Sequence, residues 1–395
     1  MMARVNLRKQ MRVRNLPERV LTNAAQTSIG HDCCTATCSD DAMSNMFSHS
    51  VTRRQWGRVG VMAAASACLP APATLRAQRR SDAAMPVRMA VGGQAGLCYL
   101  PLTVALGLGF FREEGLDIRV VDYAGGAFAL QALQEGTADV CCGAFDHVVR
   151  QQLRGMPYRS LVLLGRAPQL TLATSLRHGP KALSGFKGMR VGVTAPGSST
   201  QFLASLWLNQ AGVSSEDVSF VGVGVGSAAV AALRQGRVHA LCLPDPVITL
   251  LEHRGEVRLL VDTRTLKSSA EIFDGTMPAA CLYAPQVYVQ RHSSEVQALV
   301  NAMVRALTWL QTASAADLAR VVPAPYLLGN RGAYLAAFQN ARETFSPDGL
   351  MPDDGPATAA RVLAQLQADV VPARLALDKT FSNDWARQSR QQFKL

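Results

Sequence analysis

Beyond its N-terminal region the 395-residue chain has no uninterrupted apolar run long enough to span a membrane. A crossing helix needs about 20 apolar residues in a row, so no integral transmembrane helix is expected. The chain also has no Lys/Arg run interleaved with aromatics, and no nucleic-acid partner is expected. The formal charge of +11 does not change this, because residues 1–77 carry ten Lys/Arg against four Asp/Glu. Most of the excess therefore lies in a segment read below as removable. No Gly-x-Ser-x-Gly, His-Glu-x-x-His or Gly-x-x-x-x-Gly-Lys-Ser/Thr sequence occurs. These spacings hold an exposed nucleophile, a zinc ion with its base, and a phosphate cradle. Gly222-Val223-Gly224-Val225-Gly226 lacks the Gly-x-Gly-x-x-Gly spacing and reads as a loop entering a helix at Ala228–Arg234. No dinucleotide and no other cofactor is expected.

The nine cysteines are scattered. Cys33, Cys34 and Cys38 lie in a polar stretch, and no second ligand pair follows at zinc-site spacing. No metal site is expected. Cys98, Cys141, Cys142, Cys242 and Cys281 read as small core or loop residues. Cys141 and Cys142 face opposite sides of a strand and are poorly placed to pair with each other.

Near the N-terminus, Thr52-Arg53-Arg54-Gln55-Trp56 precedes a mild apolar stretch, Val59 to Leu69, and small residues end at Ala77. A charged start, a short apolar run and a small residue at the cut form a signal peptide. The paired arginines resemble a twin-arginine export signal. Ala65-Ser66-Ala67-Cys68 has Ala where a lipid-attachment signal usually carries a branched aliphatic residue, so lipid anchoring is not expected. Export signals normally start a chain, and Met43 and Met46 are suitable starts. Residues 1–45 are therefore expected to be an over-extended N-terminus, and 46–77 the signal.

From Val87 onward, strand and helix patterns alternate, which argues for parallel sheets with helical crossovers. The pattern recurs about a hundred residues later. Ala132-Leu133-Gln134-Glu135-Gly136-Thr137-Ala138-Asp139-Val140 parallels Ala232-Leu233-Arg234-Gln235-Gly236-Arg237-Val238-His239-Ala240. Likewise Arg88 to Val91 parallels Arg190 to Val193, and Gly115 to Val121 parallels Gly212 to Val221. Two units of like topology are expected, joined by Thr171 to Pro180, with the chain returning near Ala280 to Tyr283. Residues 294–312, 314–321, 331–344 and 356–369 read as helices packing on the first unit.

Several segments together resemble one family. Pro101 to Gly115, with its Gly109-Phe110-Phe111-Arg112-Glu113-Glu114-Gly115-Leu116 ending, is one. The entry Leu133–Val140, then Arg190 to Val193 followed by Gly197-Ser198-Ser199-Thr200, then Leu243-Pro244-Asp245-Pro246, are the others. In order and spacing they are similar to periplasmic proteins that bind nitrate, sulfonates or taurine, and to relatives that handle the thiamine pyrimidine precursor. The resemblance covers roughly residues 86–315. It implies a type II periplasmic-binding-protein fold, two α/β lobes, each a mostly parallel sheet flanked by helices. Residues 86–172 with 284–395 would form one lobe and 173–283 the other. It also implies a monomeric periplasmic component of an ABC importer without catalysis of its own. Such a component delivers a small anionic or zwitterionic organic solute to permease subunits in the inner membrane. Two alternatives stay open. One is a thiamine-pyrimidine-precursor synthesis enzyme or precursor-binding protein on the same fold, although the dense cysteine run of those synthases is absent here; the other is a sensory binding module.

In open α/β sheets, ligands sit outside the carboxyl ends of the strands. Five loops qualify here. The candidates are Gln94, Cys98 and Tyr99; Gly126 and Phe128; Gly143, Phe145 and Asp146; Gly197, Ser198, Ser199 and Thr200; and Asp245. Ser198-Ser199-Thr200-Gln201 reads as a capping box, and the helix end it opens suits a sulfonate, phosphate or carboxylate. His147, beside Asp146, reads as structural.

The signal pattern generates a first prediction. The exported mature chain should begin between Thr74 and Ser81. N-terminal sequencing checks this, and a mature species retaining residues 1–50 would reject both the cut and the extended N-terminus.

Overall fold

The structure, a computed structural model, describes residues 86–367 and 370–395. The expected signal at 46–77, the segment 1–45 and cysteines Cys33, Cys34, Cys38 and Cys68 lie outside the described residues. Among these residues no helix is long and apolar enough to cross a membrane.

In chain order, β1 (Val87–Gly92) is followed by α1 (Leu100–Gly107), the short α2 (Phe110–Glu113) and β2 (Ile118–Tyr123). Then come α3 (Gly126–Gln134), β3 (Val140–Ala144), α4 (Phe145–Leu153) and β4 (Tyr158–Leu163). The second run is β5 (Leu170–Ser175), β6 (Arg190–Val193), α5 (Ser199–Gln210), β7 (Ser219–Gly222), α6 (Ser227–Arg234), β8 (Ala240–Pro244), α7 (Val247–His253) and β9 (Val257–Asp262). The chain returns through α8 (Leu266–Phe273) to β10 (Ala280–Pro285) and α9 (Gln286–Arg291). It ends with α10 (Ser293–Thr312), α11 (Ala315–Val321), α12 (Arg331–Ala341), α13 (Gly355–Ala364) and α14 (Asp384–Phe393).

The strands form two sheets, ordered β2-β1-β3-β10-β4 and β7-β6-β8-β5-β9. In each, the first three strands run parallel and the fourth is antiparallel to both neighbours. That fourth strand, β10 or β5, is the one arriving from the other sheet. The repeat read in the sequence extends to individual contacts. Asp139 N–H donates to the Arg88 carbonyl at 2.8 Å, and His239 N–H to the Arg190 carbonyl at 2.8 Å. Gly136 and Gly236 close α3 and α6 with φ of 70° and 66°, where a side chain would be strained.

Two expectations need correction. Thr171 to Pro180 is not a linker from its start, because β5 covers Leu170–Ser175 between β8 and β9. Thr171 and Thr174 are buried there. The expected boundaries after 172 and 283 thus fall inside β5 and β10. Nor do all the late helices pack on the first sheet. Val296, Leu299, Val300, Met303, Val304 and Leu307 of α10 join the core beneath β1 and β3. Ala333 of α12, by contrast, packs with Ile248 and Leu251 of α7 on the second sheet, while Tyr334 and Phe338 enter the first core. Periodicity marks an apolar face but not the partner that covers it.

Charge is used sparingly inside. Arg264 follows β9 and is only 5% exposed, and Asp245, at the end of β8, is 2% exposed. Arg264 Nη1 donates to Asp245 Oδ2 at 3.3 Å and to Thr249 Oγ1 at 3.0 Å; Nε and Nη2 grip Asp262 at 2.9 and 2.7 Å. Removing one partner from a buried pair leaves the other charge uncompensated. Arg264→Met should therefore destabilise the fold by about 3–5 kcal/mol. Urea unfolding measures this; a loss below about 1 kcal/mol would show the carboxylates finding other partners.

Candidate functional site

β1, β3 and β6 end on one side of their sheets, and the chain beyond β3 and β6 turns into α4 and α5. The first N–H groups of a helix have no intrahelical acceptor. Gly126 at the start of α3, Asp146 and His147 in the first turn of α4, and Ser198 to Thr200 at the start of α5 all line one cavity. About 70 Å³ of it is open to the centres of water molecules. Of the candidate residues, Cys98, Tyr99, Gly126, Asp146, Ser198, Ser199 and Thr200 meet there.

The others fall elsewhere. Gln94 donates its backbone N–H to Asp122 Oδ1 at 2.9 Å. Phe128 is 44% exposed, and Phe145 is a core residue. Gly143 lies in β3 beneath the Tyr283 ring, where a Cβ would come within 2.9 Å of Cε1. Gly197 forms the left-handed turn before α5. Asp245 is held by Arg264, and its Oδ1 accepts from Thr249 N–H at 2.8 Å.

The capping box does not form. Ser198 is the N-cap of α5, but its hydroxyl makes no bond to that helix. It accepts instead from Ala127 N–H of α3 at 2.9 Å, joining the two halves across the cleft. Gln201 Oε1 accepts from Gly197 N–H at 2.8 Å. Thr200 Oγ1 accepts from Thr194 N–H at 3.1 Å and lies 2.9 Å from Thr194 Oγ1, so it secures the entry loop. The N–H groups of Ser199 and Thr200 find no acceptor among the described residues.

Asp146 and Ser199 meet across the cleft, Ser199 Oγ donating to Asp146 Oδ1 at 2.6 Å. Arg150, one helical turn along α4, pairs with Asp146 Oδ2. Burial alone would raise the Asp146 carboxyl, but the Arg150 guanidinium holds it below the usual range. Burial pushes His147 down to about 4; the Asp146 charge opposes that shift and Arg150 adds to it. His147 is therefore neutral near pH 7. Its Nε2 lies 3.4 Å from Ser199 Oγ, and its Nδ1 3.2 Å from Tyr283 OH. Serine, histidine and aspartate adjoin, yet the carboxylate bonds the serine rather than the histidine.

The walls are apolar. Leu170, Phe202, Leu203, Val225, Met277 and Pro278 contribute, and among the described residues no Lys or Arg side chain lines the cavity. Met277 and Pro278 lie between α8 and β10, a connection outside the five loops considered. The strand-end rule does not reach it, and only the return of β10 to the first sheet brings it to the cleft. His147 could have been singled out as the polar residue following Asp146 at a helix start.

The NMT1/THI5-like family model matches residues 98–313. A solved structure from Bordetella bronchiseptica RB50 is 45% identical with a TM-score of 0.77, covering 78% of this chain and 98% of that one. The periplasmic aliphatic sulphonate binding protein of Escherichia coli is 18% identical with a TM-score of 0.54, covering 74% and 91%. A desulfurization enzyme is 17% identical with a TM-score of 0.52, covering 78% and 99%. No curated protein matches the chain. The last two likenesses show a shared fold, which serves binding in one and catalysis in the other.

The buried imidazole makes stability depend on pH. His147 binds a proton near 6.5 when unfolded and near 4 when folded. Its contribution is complete above pH 6.5 and is lost as pH falls towards 4. At about 1.4 kcal/mol per pH unit, the loss is roughly 3 kcal/mol. Asp146, also depressed, adds to the loss in the same sense at lower pH. Unfolding midpoints between pH 7 and 4 should fall steeply for the native chain and less for His147→Gln. An equal slope in both would place the acid-sensitive group elsewhere.

Proposed function

The chain belongs to the NMT1/THI5-like family, and from that premise we propose that it is the periplasmic solute-binding component of an ABC importer. It holds a small organic solute with an anionic, sulfonate-like head between two lobes and hands it to permease subunits. The observation that carries this reading is the convergence of helix starts from both halves, α3 and α4 with α5, on one apolar-walled cavity. Backbone N–H groups at such ends suit an anion without any cationic side chain. Among the described residues Asp146 is the ionised side chain on the lining, and Arg150 and Ser199 already hold its two oxygens, so the arrangement favours an anionic head over an ammonium group.

Catalysis is the weaker reading. A general base works best with a pKa near the working pH, and His147 is pushed down to about 4. Ser199 donates its hydroxyl hydrogen bond to Asp146, a carboxylate held below its usual range and so a weak base. The Cys98 thiol beside the cleft is pushed up to about 12 by burial, so it carries little thiolate. Among the described residues the lining thus offers donors and apolar surface, which supports binding over proton transfer at neutral pH.

Calorimetric titration with ethanesulfonate and taurine tests the proposal, with small-angle scattering on the same samples. Reversible 1:1 binding without turnover, and a smaller radius of gyration on binding, are expected as the lobes close about the crossovers. An unchanged radius at saturation would remove the clamp. Turnover of the thiamine pyrimidine precursor or of a sulfonate would replace binding with catalysis.

A further inference from the structure

The protons around Ser199 can be accounted for one by one. An ionised carboxylate only accepts hydrogen bonds. Asp146 Oδ2 is taken by Arg150, and Oδ1 accepts from Ser199 Oγ at 2.6 Å. The single hydroxyl proton of Ser199 is thereby committed. What Ser199 turns to His147 Nε2, 3.4 Å away, is an oxygen lone pair. Two lone pairs facing each other repel, so Nε2 carries a proton. A neutral imidazole has only one N–H, so Nδ1 is bare. Nδ1 lies 3.2 Å from Tyr283 OH, and the phenol must be the donor there.

The packing holds this arrangement in place. A Cβ at Gly143 would lie 3.1 Å from Tyr283 OH, so only glycine lets the phenol reach past β3. A Cβ at Gly126 would lie 3.1 Å from His147 Cε1, so the ring is wedged against the start of α3. Cys141 Sγ stands at the same spot, 3.2 Å from that Gly143 Cβ position. Cys141 is also a side-chain hydrogen-bond partner of Tyr283, but thiol sulfur is a weak acceptor, so the imidazole nitrogen is the better partner for the phenol proton.

We propose that Tyr283 is a positioning residue that fixes His147 as the neutral Nε2–H tautomer, so that the ring donates a hydrogen bond to the acceptor head of the bound solute. The tautomer stands on the protein's own contacts; its use by a solute rests on the reading of the cleft as a solute site. The Nε2···Oγ separation of 3.4 Å exceeds the usual N–H···O distance of about 2.9–3.0 Å. The proton is therefore poorly used by Ser199 and free for a better acceptor. With the N–H groups of Ser199 and Thr200, it makes this end of the cleft a set of neutral donors. Such a set selects sulfonate or carboxylate oxygens and gives a cationic group nothing to bind.

The test begins without any ligand. In the 15N-histidine-labelled full chain, long-range proton–nitrogen correlation shows which ring nitrogen is protonated. The His147 signals are identified by their loss in His147→Gln. At pH 7 the native protein should show the Nε2–H tautomer. Tyr283→Phe removes the donor to Nδ1 and leaves only the long Ser199 contact to hold the tautomer, so Nδ1–H should become detectable beside Nε2–H and ethanesulfonate binding should weaken about tenfold. That corresponds to about 1.4 kcal/mol. A native Nδ1–H tautomer, an imidazolium, or a tautomer unchanged in Tyr283→Phe would overturn the proposal. Should Tyr283→Phe fail to fold, the native spectrum alone decides. If the tautomer is as expected but no sulfonate or carboxylate binds, the positioning stands and the solute-class reading falls.

Discussion

The structure depends on one constraint of parallel sheets. A parallel strand cannot turn straight back into its neighbour, so the chain leaves it through a crossover helix. The first N–H groups of that helix have no acceptor within it. In this chain β3 and β6 each hand over to such a helix, and β2 leads into α3. The donors of α3, α4 and α5 are brought to one cleft because the two sheets share the order 2-1-3 in their parallel parts. The cleft is thus a by-product of how the sheets are wound.

Hydrogen bonds satisfy some of the backbone donors around the cleft. Ala127 N–H is met by Ser198 Oγ, and Leu97 N–H is met by the Asp245 carbonyl at 2.8 Å. Phe145 N–H is met by the Ala279 carbonyl at 2.8 Å, next to the return into β10. What is left over, at Ser199 and Thr200, has no acceptor among the described residues and adjoins a neutral histidine. A buried donor without a partner costs roughly 1–3 kcal/mol.

The buried charges follow the same economy. Asp146 and Asp245 are both nearly inaccessible, and each is balanced by an arginine close by, Arg150 one turn on and Arg264 beyond β9. Arg150 offsets the charge of Asp146 on the cavity lining, whereas Arg264 is shared among Asp245, Glu252 and Asp262. The histidine stays uncharged for the related reason that its surroundings are too dry to support a proton, with Arg150 near. A site assembled from neutral donors beside compensated charges favours recognition by geometry over long-range attraction.

Much of the fold was legible in the sequence. Alternating strand and helix patterns, the left-handed glycines Gly136 and Gly236, and the hundred-residue repeat are local or periodic signals, and they survive into both sheets. The glycine-rich and hydroxyl-rich strand ends also marked the loops that reach the cleft, because a strand's end is a local property. Tertiary structure alone decided the rest. Whether Ser198 caps its own helix or bonds Ala127, 71 residues away, depends on how closely the two halves approach. Whether Thr171 belongs to a linker or a buried strand depends on which neighbours pair with it. Tyr283 meets His147 from 136 positions away only because β10 is threaded between β3 and β4. Met277 and Pro278 reach the cavity by the same return. Local pattern determines which elements form and where they end; the partner that each buried polar group finds is a matter of distance in space, which no spacing along this chain records.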